Sequence, residues 1–323
     1  MKILNGGNRT VLAVLGGVLA PSVSWACACG CGVFDVGGSA MFPTGAGGMA
    51  YAQYDYQDQN QNWSGTSKAP AADNGDKDIK TDFTTYGFEY FFNRSWGVSA
   101  EMPYDYRTFK TTSGAPGSPI TTLKWDAPGD LRVHGLYTGF AADLSSGIDF
   151  GLKLPTGNFT HNNQWDDIDR DSEIGTGSTD LLLGGYHRGN LTSNQKWDWF
   201  VQGELDVPVL AQDDYRPGVE FDSDAGIDYK GFSIGRLRIS PLAQAIFSTR
   251  TSDTGSYASG GANDDPAGGV SSGYERLLLS PGIEFHLHPV KIYLDAEVPV
   301  WQNFTGNQLA AAVLYKINVS WHF

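Results

Sequence analysis

The sequence predicts an all-β chain, a transmembrane antiparallel up-and-down β-barrel of about 12 strands. The last nine residues, Tyr315 to Phe323, alternate apolar or aromatic residues with polar ones, which places one strand face in an apolar medium and the other in a polar one. Similar segments recur along the chain, separated alternately by short and long connections, as in such barrels. Beyond the N-terminus no apolar run approaches the ~20 residues of a spanning helix.

Residues 1–26 are predicted to be a cleaved signal peptide. Two basic residues precede an apolar core at 11–20, which is too short for a spanning helix, and Ser24-Trp25-Ala26 supplies the small residues that signal peptidase recognises. Cleavage there makes Cys27 the first residue of the mature chain. A lipid-anchored form acylated on Cys27 stays open, although Ser24 occupies a position where the lipoprotein signal normally carries an aliphatic residue.

Residues 27–47 form a Cys/Gly-rich N-terminal segment that contains all three cysteines, Cys27, Cys29 and Cys31. Three thiols at alternate positions can converge on one soft metal ion such as Cu(I) or Zn(II). A strained disulfide with one thiol left over, an intermolecular bridge and lipid on Cys27 are the alternatives. The glycine-rich continuation is predicted to fold into the barrel mouth as a plug. No cofactor is predicted to be required.

Twelve strands are predicted in the barrel domain, residues 48–323. They cover about 48–57, 82–92, 95–109, 129–140, 146–156, 178–190, 196–210, 222–232, 234–250, 273–287, 290–302 and 308–323. Five of the connections are short, whereas most of the others are long and polar. Short turns are expected at the periplasmic end and long loops at the extracellular end, and an even strand count leaves both termini in the periplasm.

Charged residues of both signs lie on the strand faces opposite the apolar ones. Because lipid cannot solvate such groups, they are predicted to line the lumen. The candidates are Glu101, Arg107, Arg132, His134, Asp149, Lys153, Glu204, Asp206, Arg236, Arg238, Glu284, Asp295 and Glu297. Strand 178–190 is too apolar on both faces to assign.

Prolines recur in four strands that run toward the long loops. They are Pro103, Pro155, Pro208 and Pro299, each two positions after a charged inward residue. Proline cannot donate to the strand ladder and is normally confined to edges, strand ends and bulges. Two interpretations stay open: each proline ends a strand as it leaves the membrane, or together they kink the wall and open a lateral gap.

Two sets of residues resemble known families. A terminal Phe323 with an aromatic residue two places earlier resembles the assembly signal of bacterial outer-membrane barrels, which implies recognition by the barrel-assembly machinery. "GLKLPTGNF" (151–159) and "GTGSTDLLLGGY" (175–186) resemble the outer-membrane barrels grouped with meta-pathway phenol-degradation genes. That resemblance is clearest over 129–323, and it implies passage of small hydrophobic or aromatic molecules.

The net charge and the motifs argue against two classes of function, nucleic-acid binding and catalysis. The formal net charge of −14 argues against nucleic acid as a partner, since phosphate binding requires basic clusters. No segment resembles a nucleophile elbow or a catalytic triad, so an enzyme is not expected. The sequence predicts a channel for small molecules in the outer membrane of a Gram-negative bacterium, in contact with outer-membrane lipid. The alternative is a metal-binding or redox-partner barrel that uses the N-terminal thiols.

Overall fold

The computed structural model describes residues 46–112, 118–161, 170–255 and 272–323. Within these ranges the chain forms fourteen strands and two short 3-10 helices, Ala71–Asp73 and Arg170–Ser172. The strands are β1 (Gly47–Gly65), β2 (Ser67–Lys68), β3 (Asp76–Phe91), β4 (Trp96–Thr112), β5 (Ile120–Pro128), β6 (Leu131–Tyr137), β7 (Ser146–Leu154), β8 (Ser178–Asn190), β9 (Trp197–Ala211), β10 (Glu220–Tyr229), β11 (Phe232–Ile234), β12 (Leu237–Arg250), β13 (Tyr274–Leu287) and β14 (Val290–His322). No helix among the described residues has both the length and the apolar character needed to cross a bilayer.

The strands form one antiparallel, closed barrel. Its path runs β10-β9-β8-β7-β6-β4-β3-β1-β14-β13-β12, and pairing of β10 with β12 closes it, while β2, β5 and β11 each pair on one side. Strand β14 contributes two wall segments. Residues 290–304 pair with β13 and residues 307–322 pair with β1, and Gly306, with φ 72°, lies between them. Eleven strands on the closed path, one of them doubled, agree with the prediction of about twelve.

Several strands are longer than the sequence predicts. Residues 58–65, 76–81 and 120–128 were expected in loops, but they belong to β1, β3 and β5. Their outer faces carry charged residues, such as the pair of Lys80 and Asp58, whose side-chain atoms lie 3.1 Å apart. Outside the apolar layer the outer face no longer needs apolar residues, so the period-two signal fades although the backbone continues to pair.

The outer face of the barrel is apolar around its middle and aromatic near the short turns. Val98, Ile148, Phe150 and Leu183 are between 40% and 58% exposed. At the end with the short turns, called here the turn end, aromatic rings lie in contact with one another, with centroids 4.7 Å apart for Trp96 and Tyr137, 4.9 Å for Trp197 and Tyr229, and 5.0 Å for Tyr229 and Phe232. An apolar band with an aromatic girdle is the outer surface of a barrel in lipid.

Both ends of the described wall meet at the turn end. The N–H of Gly48 donates to the carbonyl of Phe323 at 2.8 Å, and the N–H of Phe323 donates to the carbonyl of Gly48 at 2.9 Å. A Cβ at position 48 would collide with the Phe323 ring. The C-terminal residue is therefore the last rung of the ladder that joins β14 to β1.

The lumen has two unlike sides. On the packed side, formed by β12, β13 and β14, inward side chains fill the interior. Ile246, Leu278 and Leu314 form one apolar cluster there. Lys316 lies 3.4 Å from Glu297, and both are almost fully buried. On the cavity side, formed by β3, β4 and β6 to β10, the inward side chains surround an open space.

Candidate functional site

The candidate site is a luminal cavity of about 360 Å³ on the cavity side. Its lining contains twelve acidic side chains but only five permanently cationic ones. The acidic residues are Asp55, Glu89, Glu101, Asp105, Asp130, Asp149, Asp171, Glu173, Glu204, Asp206, Glu220 and Asp222, and the cations are Arg107, Arg132, Lys153, Arg170 and Arg250. Low-dielectric walls that carry an excess of one charge focus a field that concentrates ions of the opposite sign. The cavity therefore favours cations.

A network of ion pairs crosses the wall of the cavity from β6 to β9. Arg132 on β6 reaches Asp206 on β9 at 3.0 Å, and Lys153 on β7 reaches the same carboxylate at 2.9 Å. Lys153 also pairs with Asp180 on β8, which is fully buried. Since the two cations connect side chains from four consecutive strands of the barrel, the network fixes side-chain positions at the centre of the cavity wall.

Next to this network, His134, Asp149 and Glu204 converge on one point. The His134 Nδ1 atom lies 3.3 Å from Asp149 Oδ2 and 3.9 Å from Glu204 Oε2. In the ladder, Asp149 is opposite Gly184, and Gly184 is opposite Glu204. A Cβ on Gly184 would collide with the Asp149 carboxylate, so the glycine leaves room for two carboxylates to approach each other across β8.

The two segments that resemble the phenol-degradation barrels meet above the cavity. Gly157 and Gly175 pack backbone against backbone, and a Cβ on Gly157 would lie 2.7 Å from the Gly175 Cα. Asp130 holds both segments, because its carboxylate accepts from the Gly157 N–H at 2.9 Å and from the Thr176 N–H and hydroxyl at 2.8 and 2.6 Å. The motif glycines thus allow the loop base to close, and Asp130 clamps it.

Loop residues cap the cavity at the opposite end from the turns, called here the loop end. The Arg107 guanidinium projects from β4 and donates to the carbonyls of Ser172 and Glu173, which fixes that segment in the barrel mouth. The Arg170 guanidinium lies over the rings of Phe159 and Tyr215, 4.5 and 4.9 Å from their centroids. These contacts join the loops that follow β7 and β9.

Tyr215 connects this cap to a third loop. Its hydroxyl donates to Asp253 at 2.9 Å, and Asp253 also accepts from the Gly218 N–H at 2.7 Å and pairs with Arg250 at 2.6 Å. Burial, and then the nearby Asp253 carboxylate, raise the pKa of Tyr215 well above its ordinary value. The phenol therefore stays protonated and remains a donor to Asp253 at any physiological pH.

The lumen candidates from the sequence fall into three groups. Eight of them line the cavity: Glu101, Arg107, Arg132, His134, Asp149, Lys153, Glu204 and Asp206. Four lie on the inner face of the packed side: Arg238, Glu284, Asp295 and Glu297. Arg236 precedes β12 in the turn at Gly235 and is exposed, so placing it in the lumen was wrong; the turn residues had been read as part of the strand.

Strand irregularities accompany three of the four prolines. The partner of β4 changes from β6 to β5 around Pro103. Pro208 pairs with Asp180 beside a register shift, and Pro299 pairs with Leu278 beside another. Pro155 instead follows the end of β7. The wall therefore bends or changes partner at three prolines and ends a strand at the fourth, and β5 pairs only with β4 among the described strands.

The three cysteines, Cys27, Cys29 and Cys31, lie outside the described residues, as do the signal peptide and most of the proposed plug. The metal, disulfide and lipid interpretations of that segment stay predictions.

Sequence reasoning missed four residues that shape the cavity. They are Asp130, Asp180, Gly184 and Tyr215. Asp130 and Tyr215 had no periodic signal, because each acts through backbone or loop contacts. Asp180 and Gly184 lie on β8, whose alternation was hidden because Leu182, a luminal residue only 2% exposed, is as apolar as the outward Leu181 and Leu183.

Comparisons with known proteins agree on the fold. No protein-family model and no curated relative matches the chain. The chain is similar to the crystal structure of the COG4313 outer membrane channel from Pseudomonas putida F1, with a TM-score of 0.55 and 10% identity over 90% of this chain and 100% of that one. It is also similar to the beta domain of the Bordetella autotransporter Brka, with a TM-score of 0.50 and 13% identity over 86% of this chain and 100% of that one. The fold is that of outer-membrane β-barrel proteins.

Proposed function

We propose that this protein is an outer-membrane channel of a Gram-negative bacterium that passes small solutes and prefers cations. The observation that carries this proposal is the luminal cavity, whose lining holds twelve acidic side chains against five permanent cations. Short turns would face the periplasm, and the loop cap would face the exterior. The terminal Phe323 would be recognised by the barrel-assembly machinery during insertion. No catalytic role is proposed.

The cavity also offers an apolar surface near the turn end. Phe91, Leu136 and Tyr186 line it there, below the charged centre. The motif resemblance implies passage of small aromatic molecules. The apolar surface and the acidic centre together support such passage for an aromatic solute that also carries a positive charge. An aromatic solute without charge would have to cross the acidic centre with no compensating contact, at the cost of displacing water from the carboxylates.

The test combines electrical recording with a matched pair of solutes. Purified protein in a planar bilayer under a potassium chloride gradient should conduct steadily, with a reversal potential of the sign given by cation preference. In proteoliposomes, benzyltrimethylammonium should permeate faster than benzenesulfonate. Each of these ions has one aromatic ring, and their permanent charges are opposite in sign. Anion preference in both assays would overturn the proposed selectivity, and no conductance would overturn the channel.

The cysteine segment provides a separate comparison. A variant with Cys27, Cys29 and Cys31 all changed to serine should conduct like the wild type if the thiols play no part in passage. A silent wild type and a conducting variant would make the N-terminal segment a plug held by its cysteines.

A further inference from the structure

We propose that His134, Asp149 and Glu204 bind one divalent transition-metal cation in the wall of the cavity. The three side chains come from β6, β7 and β9, and one ligand atom from each lies within 4.8 Å of the other two. The inference goes beyond the proposed channel function, because a metal can bind here whether or not the barrel conducts.

The spacing of the three groups suits a metal. Zinc binds histidine nitrogen and carboxylate oxygen at about 2.0–2.2 Å, so neighbouring ligand atoms in a site lie about 3–3.5 Å apart. The 3.3 Å between His134 Nδ1 and Asp149 Oδ2 already falls in that range, and the 3.9 Å to Glu204 Oε2 requires a small closure. Glutamate has more rotatable side-chain bonds than histidine or aspartate, so Glu204 can supply that closure by rotation.

Two glycines provide the space that the site needs. Gly184 lies in the ladder between Asp149 and Glu204, and any side chain there would displace the Asp149 carboxylate. Gly151 is opposite His134, and a Cβ at that position would lie 2.9 Å from His134 Nδ1. Glycine weakens a strand interior and often marks a close approach of another group. Here Gly184 lies beside Asp149 and Glu204, and Gly151 lies beside His134.

The charge balance around the site favours a dication. Arg132 pairs with Glu204 at 3.4 Å through Oε1, which leaves the other oxygen, Oε2, directed at His134. Asp149, which contacts His134, and the ion-paired Asp180, Glu204 and Asp206 carry four formal negative charges, whereas Arg132 and Lys153 carry two positive ones. This excess of negative formal charge favours binding of a divalent cation in a cavity with low-dielectric walls.

The ligand types indicate which cations bind. Imidazole suits Zn(II), Ni(II), Cu(II) and Fe(II), whereas Mg²⁺ and Ca²⁺ prefer all-oxygen sites. One histidine with two carboxylates therefore selects a transition-metal ion over Mg²⁺. Without a metal, a protonated His134 can form an ion pair with both carboxylates, and the test distinguishes these two arrangements.

The experiment measures zinc binding to the full mature chain in detergent. The background variant carries serine at Cys27, Cys29 and Cys31, which removes the three thiols as zinc ligands. Calorimetric titration with zinc chloride should give one tight site, and a tenfold excess of Mg²⁺ should not displace the zinc. X-ray absorption spectroscopy at the zinc edge should show that the bound zinc has nitrogen and oxygen ligands only.

Three single substitutions in this background locate the site: His134→Asn, Asp149→Asn and Glu204→Gln. Each should weaken zinc binding at least tenfold. His286→Asn, on the packed side, serves as the control and should leave affinity unchanged. Folding of every variant is checked by its heat-dependent shift on electrophoresis, and Gly184→Ala supplies a variant that keeps all three ligands yet should weaken binding.

No tight site in the background variant, or unchanged affinity after loss of any ligand, would overturn the metal site and leave the ion pair of His134 with its carboxylates. Either result would leave the proposed channel untouched, because conductance and zinc binding are measured separately. A channel that fails to conduct but binds zinc through these residues would count against the channel alone.

Discussion

The packed side and the cavity side of the barrel contain similar charged residues but differ in how those residues are neutralised. On the packed side, Lys316 lies 3.4 Å from Glu297 and 4.0 Å from Asp55, a residue of β1 that also borders the cavity, and all three are buried. Asp295 accepts from the Tyr293 and Ser280 hydroxyls at 2.6 and 2.7 Å. Pairing there fills the lumen. On the cavity side the carboxylates outnumber the cations, and a space remains.

This difference indicates that charged residues in a barrel lumen can either stabilise the packed interior or attract a solute. A buried charge is tolerated when a partner and hydrogen bonds replace water, and the compact arrangement then leaves no room for a solute. An excess of one sign keeps an opening and attracts counter-ions. Substitutions on the packed side should therefore change stability, and those on the cavity side should change binding and selectivity.

The largest expected effect comes from Lys316→Met. Removal of the cation leaves Glu297 and Asp55 buried without its charge, which should lower the free energy of unfolding by about 3–5 kcal/mol. Urea unfolding in lipid vesicles, followed by tryptophan fluorescence, measures it. Lys80→Met is the matched control, because Lys80 pairs with Asp58 on the outer surface in contact with water, and its loss should change little. Equal effects of the two substitutions would contradict the distinction.

Asp130→Ala should have the next largest effect. The substitution removes the acceptor that joins Gly157 to Thr176, and hydrogen bonds to a charged group contribute about 1.5–3 kcal/mol each. We expect faster hydrogen exchange and easier proteolysis in the loop that follows β7, while the wall stays folded. Asp143→Ala, in an exposed turn at the other end, provides the control; a loop as protected as in the wild type would show that Asp130 is not its clamp.

Gly184→Ala should cost about 1–3 kcal/mol of stability, since the added methyl group must displace the Asp149 carboxylate in a packed wall. More diagnostic is the expected loss of zinc affinity with no change at the packed side. Calorimetry on the cysteine-free background measures it. Unaltered zinc binding with the methyl group in place would argue that Asp149 is not a ligand.

The smallest effect is expected from Tyr215→Phe. The ring under Arg170 is retained, and only the hydroxyl that donates to Asp253 is lost, which should cost about 0.5–1.5 kcal/mol. Because burial holds the pKa of Tyr215 well above its ordinary value, this cost should be constant from pH 5 to pH 9. Stability measured at both limits checks this; a difference that vanishes toward pH 9 would mean that the phenol ionises.

Much of the wall could be predicted from sequence, because lipid on one side and a polar lumen on the other impose period two. The segments 290–302 and 308–323 were predicted separately and occur as the two halves of β14. Beyond the membrane this constraint ends, so 120–128 was read as a loop although it forms β5. The site was only half predictable. His134, Asp149 and Glu204 were predicted to face inward. Their convergence depends on the space at Gly184 and on the register between strands, and the residue pattern within a single strand does not determine either.

One charge-neutralising substitution on each side, Glu101→Gln in the cavity and Glu297→Gln on the packed side, measures whether the two sides of the lumen differ in their effect on ions. Reversal potential under a potassium chloride gradient is recorded for both variants beside the wild type. We expect a shift toward zero for Glu101→Gln and an unchanged potential for Glu297→Gln. An unchanged potential for Glu101→Gln, or a larger shift for Glu297→Gln, would contradict this expectation.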